Sequence, residues 1–204
     1  MQSDFEPMTG REAGETLDVI RTLMERGTHY RNLSGHAGVA AGCVALIGAA
    51  ARAWLKTPFS LTWGLVFTLA MGAAVFYTAR MARQNGEVFW TRQARTIVLA
   101  LTPAFFAAVV LSYVLDAVGQ RGMLPGIWML MWGVGALAMS FFTPRVIWML
   151  GSAFLACGAG TLLAGLHDDA PTMGLTFGAI HLLYGVILTV FRPVSAGRAV
   201  FHDA

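Results

Sequence analysis

Three ionisable side chains, His36, Asp116 and His181, lie inside or at the margins of long apolar stretches. A polar group placed in lipid is costly, so such residues are candidates for function by default. Two transmembrane histidines are able to hold a haem iron between them, and Cys43 and Cys157 together with His181 suggest a weak metal set at mid-depth. The cysteines have no CxxC or metal-type spacing, however, and they indicate no disulfide framework.

His181 and Tyr184 form the candidate polar site that the pattern favours most. His181 shares one helical stripe with Gly174, Gly178 and Gly185, at steps of four, three and four residues. Small residues on one stripe let a neighbouring helix approach closely, so the imidazole is expected inside a bundle. Two roles stay open: a hydrogen bond across helices to a Ser, a Thr or a backbone carbonyl, or a ligand, proton or cofactor site.

The remaining chemical sets are weaker. His36 and His181 are expected to differ in depth by about 9 Å at 1.5 Å per residue, which argues against a shared haem and leaves any cofactor unknown. His167, Asp168 and Asp169 are cation ligands in principle, but three consecutive residues seldom converge, so a solvated turn is expected.

Other signatures of catalysis or metal binding are missing. Asp116 is expected to reach interfacial water or to pair with Arg121, and neither position requires a catalytic role. The sequence has no HExxH or P-loop motif, and Ser34 lacks the glycine that precedes the serine in GxSG. No catalytic and no metal-binding residue is predicted.

The elements that must position these side chains are transmembrane helices. The chain is 56% apolar and 12% charged, with its 23 glycines spread through the apolar stretches. A bilayer core needs about 20 apolar residues per helix, and six segments fit: 33–54, 59–79, 96–118, 124–143, 146–166 and 172–191. The predicted fold class is all-α, a polytopic membrane bundle of six transmembrane helices. Short links predict that spans four and five, and also five and six, are antiparallel neighbours.

A short amphipathic helix is predicted before the first span. Thr9 and Glu12 match a capping box, and an apolar stripe from Ala13 to Met24 follows. The segment carries a net charge of about −2, which disfavours adhesion to anionic lipid and suggests docking on the basic loop 80–95 or on another protein. The predicted organisation is therefore a cytoplasmic segment 1–31, a membrane domain 32–192 and a cytoplasmic tail 193–204.

Lysine and arginine counts predict the orientation. With the N-terminus inside, eleven of the 14 Lys and Arg residues fall on the cytoplasmic side, as the positive-inside rule requires. Both termini are therefore expected in the cytoplasm, in the inner membrane of a bacterium. Trp54, Trp63 and Trp128 are expected to anchor in lipid at the outer boundary, and Tyr77 and Trp148, with Phe142, at the inner one.

Small residues also mark packing faces. Ser34, Gly38 and Gly42 form a small-xxx-small series in the first span, and Gly174, Gly178 and Gly185 form the stripe in the sixth. Either face is suited to contacts within the bundle or between protomers. The two halves of the chain give no convincing internal repeat.

Several short motifs resemble a group of small bacterial integral membrane proteins. They are the runs 24–28, 34–38 and 41–48 near the start and 177–185 near the end, all but the first rich in glycine. The resemblance implies the six-span architecture and no established activity.

The leading hypothesis is a non-enzymatic component that binds a partner, either other membrane subunits or a second copy in a homo-oligomer. The alternative is a small transporter or channel, for which Pro103 offers a break that frees the carbonyl of Leu99; a haem or redox protein ranks below both. The basic residues form no continuous polar face, so no nucleic-acid partner is expected.

Overall fold

The computed structural model describes residues 34–190, together with Gly14, Thr16 and Leu17. This part of the chain is all-helical and has six helices that are long and apolar enough to cross a membrane. The predicted fold class is confirmed. The amphipathic helix predicted within 9–27 falls almost wholly outside the described residues, and so do nearly all of both predicted terminal segments.

Six helices follow one another with short connections. They are α1 (Gly35–Leu55), α2 (Phe59–Gln84), α3 (Arg92–Ala117), α4 (Leu124–Ser140), α5 (Val146–Leu163) and α6 (Asp169–Val190). A short 3₁₀ turn, Arg121–Met123, leads into α4, and α6 contains a π-helical turn at Gly174–Ala179. Helix α2 runs beyond its predicted end because apolar windows stop at the first arginines, whereas the backbone hydrogen bonds continue through them.

Four of the six helices carry the same sequence pattern. It begins with a glycine, has a larger residue four positions after it, a second glycine seven positions after it, and a second larger residue eleven positions after it. The glycine pairs are Gly35 and Gly42 in α1, Gly126 and Gly133 in α4, Gly151 and Gly158 in α5, and Gly178 and Gly185 in α6. This repeat is a single helix face, so it does not bear on the prediction that the two halves of the chain show no convincing repeat.

The repeated faces pair the helices in antiparallel fashion. A Cβ built at Gly133 would lie 2.9 Å from the carbonyl oxygen of Gly151. In the other pair, a Cβ at Gly42 would lie 2.8 Å from the carbonyl oxygen of Gly178. Such distances exclude any side chain, so the backbones of α4 and α5, and of α1 and α6, touch directly.

The two glycine-paired units are each extended by one further helix. Helix α2 packs on α1, and α3 packs on α4, which gives the triplets α2–α1–α6 and α3–α4–α5. Close backbone contacts between α5 and α6 are few. Helices α5 and α6 are neighbours, as predicted, but α6 uses its glycine face against α1 and meets α5 through large side chains.

The core lies between the triplets and contains the most buried large side chains. Phe154 and Met129 are fully buried, and Ile147, Trp63 and Met173 pack with them. Phe154 and Met129 each stand three residues after the first glycine of their repeat. On each of these helices the glycine face therefore contacts the paired helix, and the residue three positions after the first glycine faces the core.

We expect Gly158→Ala to lower the melting temperature. The new Cβ would lie 2.8 Å from the backbone nitrogen of Leu130, and overpacking of this kind costs about 1–3 kcal/mol. Gly160 is the matched control on the same helix, because a Cβ there meets nothing within 4 Å. Gly160→Ala should keep or raise stability by up to about 1 kcal/mol through helix propensity. Equal melting of the two variants in detergent would contradict the paired-backbone contact.

Candidate functional site

His181 lies in the core at the boundary between the two triplets. It is 8% exposed, and its ring is surrounded by Trp132 of α4, Phe154 of α5 and Phe177 of its own helix. The ring centroids of Trp132 and Phe154 both lie 5.2 Å from that of the imidazole, and the Phe177 ring stacks on it at 6.0 Å. We call these four side chains the aromatic cluster.

The imidazole makes its hydrogen bond within α6. Nδ1 lies 2.8 Å from the carbonyl oxygen of Phe177, and because a carbonyl can only accept, Nδ1 carries the proton and donates. Phe177 belongs to the π-helical turn Gly174–Ala179. Turns of this kind often mark functional places in helices. The structural role predicted for His181 was a hydrogen bond to a neighbouring helix. The hydrogen bond that His181 makes is within its own helix instead.

Trp132 contributes the unusual polar group of the cluster. Among the residues that the structure describes, its indole N–H is buried and has no hydrogen-bond partner. Leaving such a donor unpaired costs about 1–3 kcal/mol. The indole ring packs against the rings of Phe105 and Phe154, which carry no hydrogen-bond acceptor for its N–H.

The predicted partner of His181, Tyr184, lies nearby but plays a different part. It packs against the core cluster, and its ring edge covers Gly38 of α1, where a built Cβ would lie 2.8 Å from Cδ1. The described hydrogen bond of His181 goes to Phe177 and not to Tyr184. The structure therefore places both residues between helices without joining them as a polar pair.

The predicted packing residues lie on one contact. Gly38 and Gly42 face α6, while Gly178 and Gly185 face α1. Gly174 faces Ala49 of α1. Ser34 is buried just before the first residue of α1. These faces are used within the chain, so they are not available for contacts between protomers.

A second polar cluster joins the start of α6 to α1 and α2. Arg52 donates from Nε to Oδ2 of Asp169 at 2.9 Å and from Nη2 to Oδ1 at 3.3 Å. The indole N–H of Trp63 donates to the same Oδ2 at 2.9 Å, and Arg52 also donates to the carbonyl of Thr57. We call Arg52, Trp63 and Asp169 the polar clasp.

The clasp corrects one expectation, the position of Trp63. Trp63 is 7% exposed and packs in the core, so the prediction that it anchors in lipid was wrong. Its N–H is satisfied by a carboxylate inside the protein, which removes the need for an interfacial position. Asp169 faces Arg52, whereas Asp168 caps the amide of Ala170, so these two carboxylates do not converge on a common point.

The other ionisable candidates are separate from one another. His36 is exposed and stacks on Tyr77 at 6.1 Å, in surroundings unlike those of His181. Asp116 pairs with Arg121 outside the core. Within residues 34–190, no group of three or more His, Cys, Asp or Glu side chains is placed to hold a metal ion.

The proline and the cysteines that sequence analysis singled out are also accounted for. Pro103 lies inside an uninterrupted α3. Cys43 is exposed on α1, and Cys157 packs against the core cluster.

The chain matches no protein-family model, and comparisons with curated proteins and with solved structures return no match. The resemblance to small bacterial membrane proteins therefore stays a prediction.

Sequence reasoning missed Trp132, the clasp and the aromatic cluster. The seven-residue glycine spacing was the available signal for Trp132. Trp132 directly precedes the second glycine of α4, and Tyr184 directly precedes the second glycine of α6. Nothing in the sequence indicates that Arg52 and Asp169, which are 117 positions apart, should meet.

We expect Trp63→Phe to destabilise the protein more than Trp132→Phe. Both substitutions remove the same atoms, but only Trp63 donates to a carboxylate, and a hydrogen bond to a charged group contributes about 1.5–3 kcal/mol. Trp132→Phe removes a donor that has no partner. Thermal melts of the two variants side by side measure the difference. A greater loss for Trp132→Phe would mean that its N–H is bonded in the working protein.

We expect His181→Phe to melt close to the wild type and His181→Gln to melt lower. Phenylalanine keeps the ring contacts, and aromatic pairs contribute about 0.5–1.5 kcal/mol each. The carbonyl of Phe177 also accepts the backbone N–H of Ile180, so it keeps a partner in either variant. The reverse order of melting temperatures would show that the polar character of the imidazole is what the core requires.

Proposed function

We propose that this chain is a multi-pass integral protein of a bacterial inner membrane that acts as a non-enzymatic, partner-binding component. Six apolar helices support the membrane placement. The outward faces of α2 and α3 add to it, because they expose large apolar side chains such as Leu65, Phe76 and Phe106. Lipid solvates such surfaces, whereas water does not.

The proposed orientation has both termini in the cytoplasm. Arg80 and Arg83 stand at the end of α2, and Arg92 and Arg95 at the start of α3, so four cations share one end of the bundle. At the opposite end, Arg52 and Arg121 are each paired with an aspartate. This uneven distribution of positive charge favours the arginine-rich end as the cytoplasmic one.

One observation supports partner binding above all: an open small-residue face on α2. Gly64, Thr68 and Gly72 follow one another at four-residue steps and are exposed. A Cβ built at Gly64 or Gly72 meets nothing within 4 Å. The hydroxyl of Thr68 donates to the carbonyl of Gly64 at 2.8 Å, so this hydroxyl already has a hydrogen-bond partner within its own helix. The face is therefore shallow and has no unpaired hydroxyl.

Such a face is suited to another transmembrane helix. In lipid, helices associate where small residues allow the backbones to approach. The paired glycines of α1, α4, α5 and α6 are all covered inside the chain, whereas this face on α2 is not. The partner we propose is α2 of a second copy, because a two-fold axis brings identical faces together.

A labelling experiment tests the orientation. In a background with Cys43 and Cys157 replaced by serine, a cysteine at Gln120 should react with a membrane-impermeant thiol reagent in intact cells. A cysteine at Trp90, which is 58% exposed, should react only after the cells are opened. Gln120 lies at the end that follows α3 and is exposed as well. Labelling at Trp90 alone in intact cells would reverse the proposed topology.

Cross-linking tests the α2 contact. In the same cysteine-free background, Thr68→Cys should form a disulfide between two copies when membranes are oxidised. Gly160→Cys on α5, which is also exposed at an open glycine, should not. Adding Gly64→Leu and Gly72→Leu should abolish the Thr68→Cys product, since leucines there keep the backbones apart. Equal cross-linking at both positions, or none at Thr68, would contradict the proposal.

A further inference from the structure

A cavity of about 290 Å³ lies across α1 between α2 and α6, at the arginine-rich end of the bundle. Its lining consists of His36, Val39, Ala40, Tyr77, Val186, Thr189 and Val190. The hydroxyl of Thr189 donates to the carbonyl of Gly185 at 2.7 Å, so this side chain presents its methyl group. We call this cavity the α1 groove.

The α1 groove is apolar along its length and polar at one end. Val39, Ala40, Val186 and Val190 offer only hydrocarbon, which is a surface that a hydrocarbon chain can cover. His36, on the first turn of α1, stacks on Tyr77 with an interplanar angle of 22°. This ring pair lies at the end of the groove where α1 begins.

Positive charge continues from that end. Arg80 stands three residues after Tyr77 on α2, close to the same helix face, and it is exposed. Arg83 follows within the next turn and is exposed as well. Guanidinium groups bind phosphate through paired N–H donors. The groove therefore has a hydrocarbon surface and exposed arginines beyond one end, which match the two parts of a phospholipid.

We propose that the α1 groove binds one anionic glycerophospholipid of the cytoplasmic leaflet. An acyl chain lies against Val39, Ala40 and Val186, and the phosphate meets Arg80 together with His36 or Tyr77. Basic pockets between helices on the cytoplasmic side are a recurrent way of holding anionic headgroups. The inference rests on the membrane placement and orientation of the proposed function, and not on the α2 contact between copies.

The test measures lipid binding to the purified full-length protein in a mild detergent by native mass spectrometry. Phosphatidylglycerol and phosphatidylcholine are titrated separately. We expect one saturable phosphatidylglycerol per chain, bound at least about fivefold more tightly than phosphatidylcholine, since a cation near the headgroup contributes about that factor. Equal binding of the two lipids would overturn the assignment of an anionic ligand.

Two variants locate the binding in the α1 groove. Arg80→Gln should weaken phosphatidylglycerol binding about fivefold, by the same reasoning. Arg95→Gln is the matched control, because Arg95 is an exposed arginine at the same end, on the first turn of α3, and it should leave binding unchanged. Ala40→Phe fills the groove and should abolish binding of both lipids. If Arg80→Gln and Arg95→Gln weaken phosphatidylglycerol binding equally, the lipid is attracted by the charge of the whole end of the bundle and not by a site in the α1 groove, and the proposal is wrong.

The rival occupant is the chain's own N-terminal segment, since α1 begins at the edge of the groove. If phosphatidylglycerol binds only after residues 1–27 are deleted, that segment occupies the groove and the lipid proposal is wrong. Cross-linking through Thr68→Cys, repeated on Ala40→Phe, separates this inference from the proposed function. We expect the cross-link to persist there, whatever happens to lipid binding.

Discussion

Direct contact between backbones at paired glycines is the constraint on which the rest of this structure depends. In α1/α6 and in α4/α5, a glycine of one helix lies against a carbonyl of the other, twice per pair and seven residues apart. A seven-residue repeat keeps the contact on one face over two turns, as in other closely packed antiparallel helices. Each larger residue four positions after a glycine then covers the glycine opposite, so the two helices of a pair fit together along their length.

This close pairing determines where bulky side chains can go. Because the paired faces hold glycine, the large aromatic residues stand on the neighbouring stripe and meet between the two triplets. Phe154 and His181 occupy equivalent positions in their repeats, three residues after the first glycine, and their rings come within 5.2 Å of each other. The imidazole therefore takes a place that a phenylalanine takes in α5. The unpaired N–H of Trp132 is a cost of filling this boundary with rings.

The two ends of the bundle are built differently. At one end the polar clasp joins the last turn of α1, the first turns of α2 and the start of α6 through Asp169. At the other end, four arginines stand on α2 and α3, and the α1 groove opens between α1, α2 and α6. At the clasp end Arg52 and Arg121 are paired with aspartates and Lys56 is exposed, whereas the other end exposes four arginines. This is the asymmetry that the proposed lipid site uses.

What the sequence determined by itself was local along the chain: the six apolar segments, their approximate ends, the bias of positive charge and the small-residue stripe that contains His181. These follow from segment length and periodicity, which need no knowledge of distant residues. Only the tertiary structure decided which helices pair. Four helices carry the same glycine face, so the sequence allows several pairings, and Gly35 meets Gly185 across nearly the whole chain. The clasp, the partners of His181 and the groove depend on that choice, because each is made by side chains from helices that sequence order does not bring together.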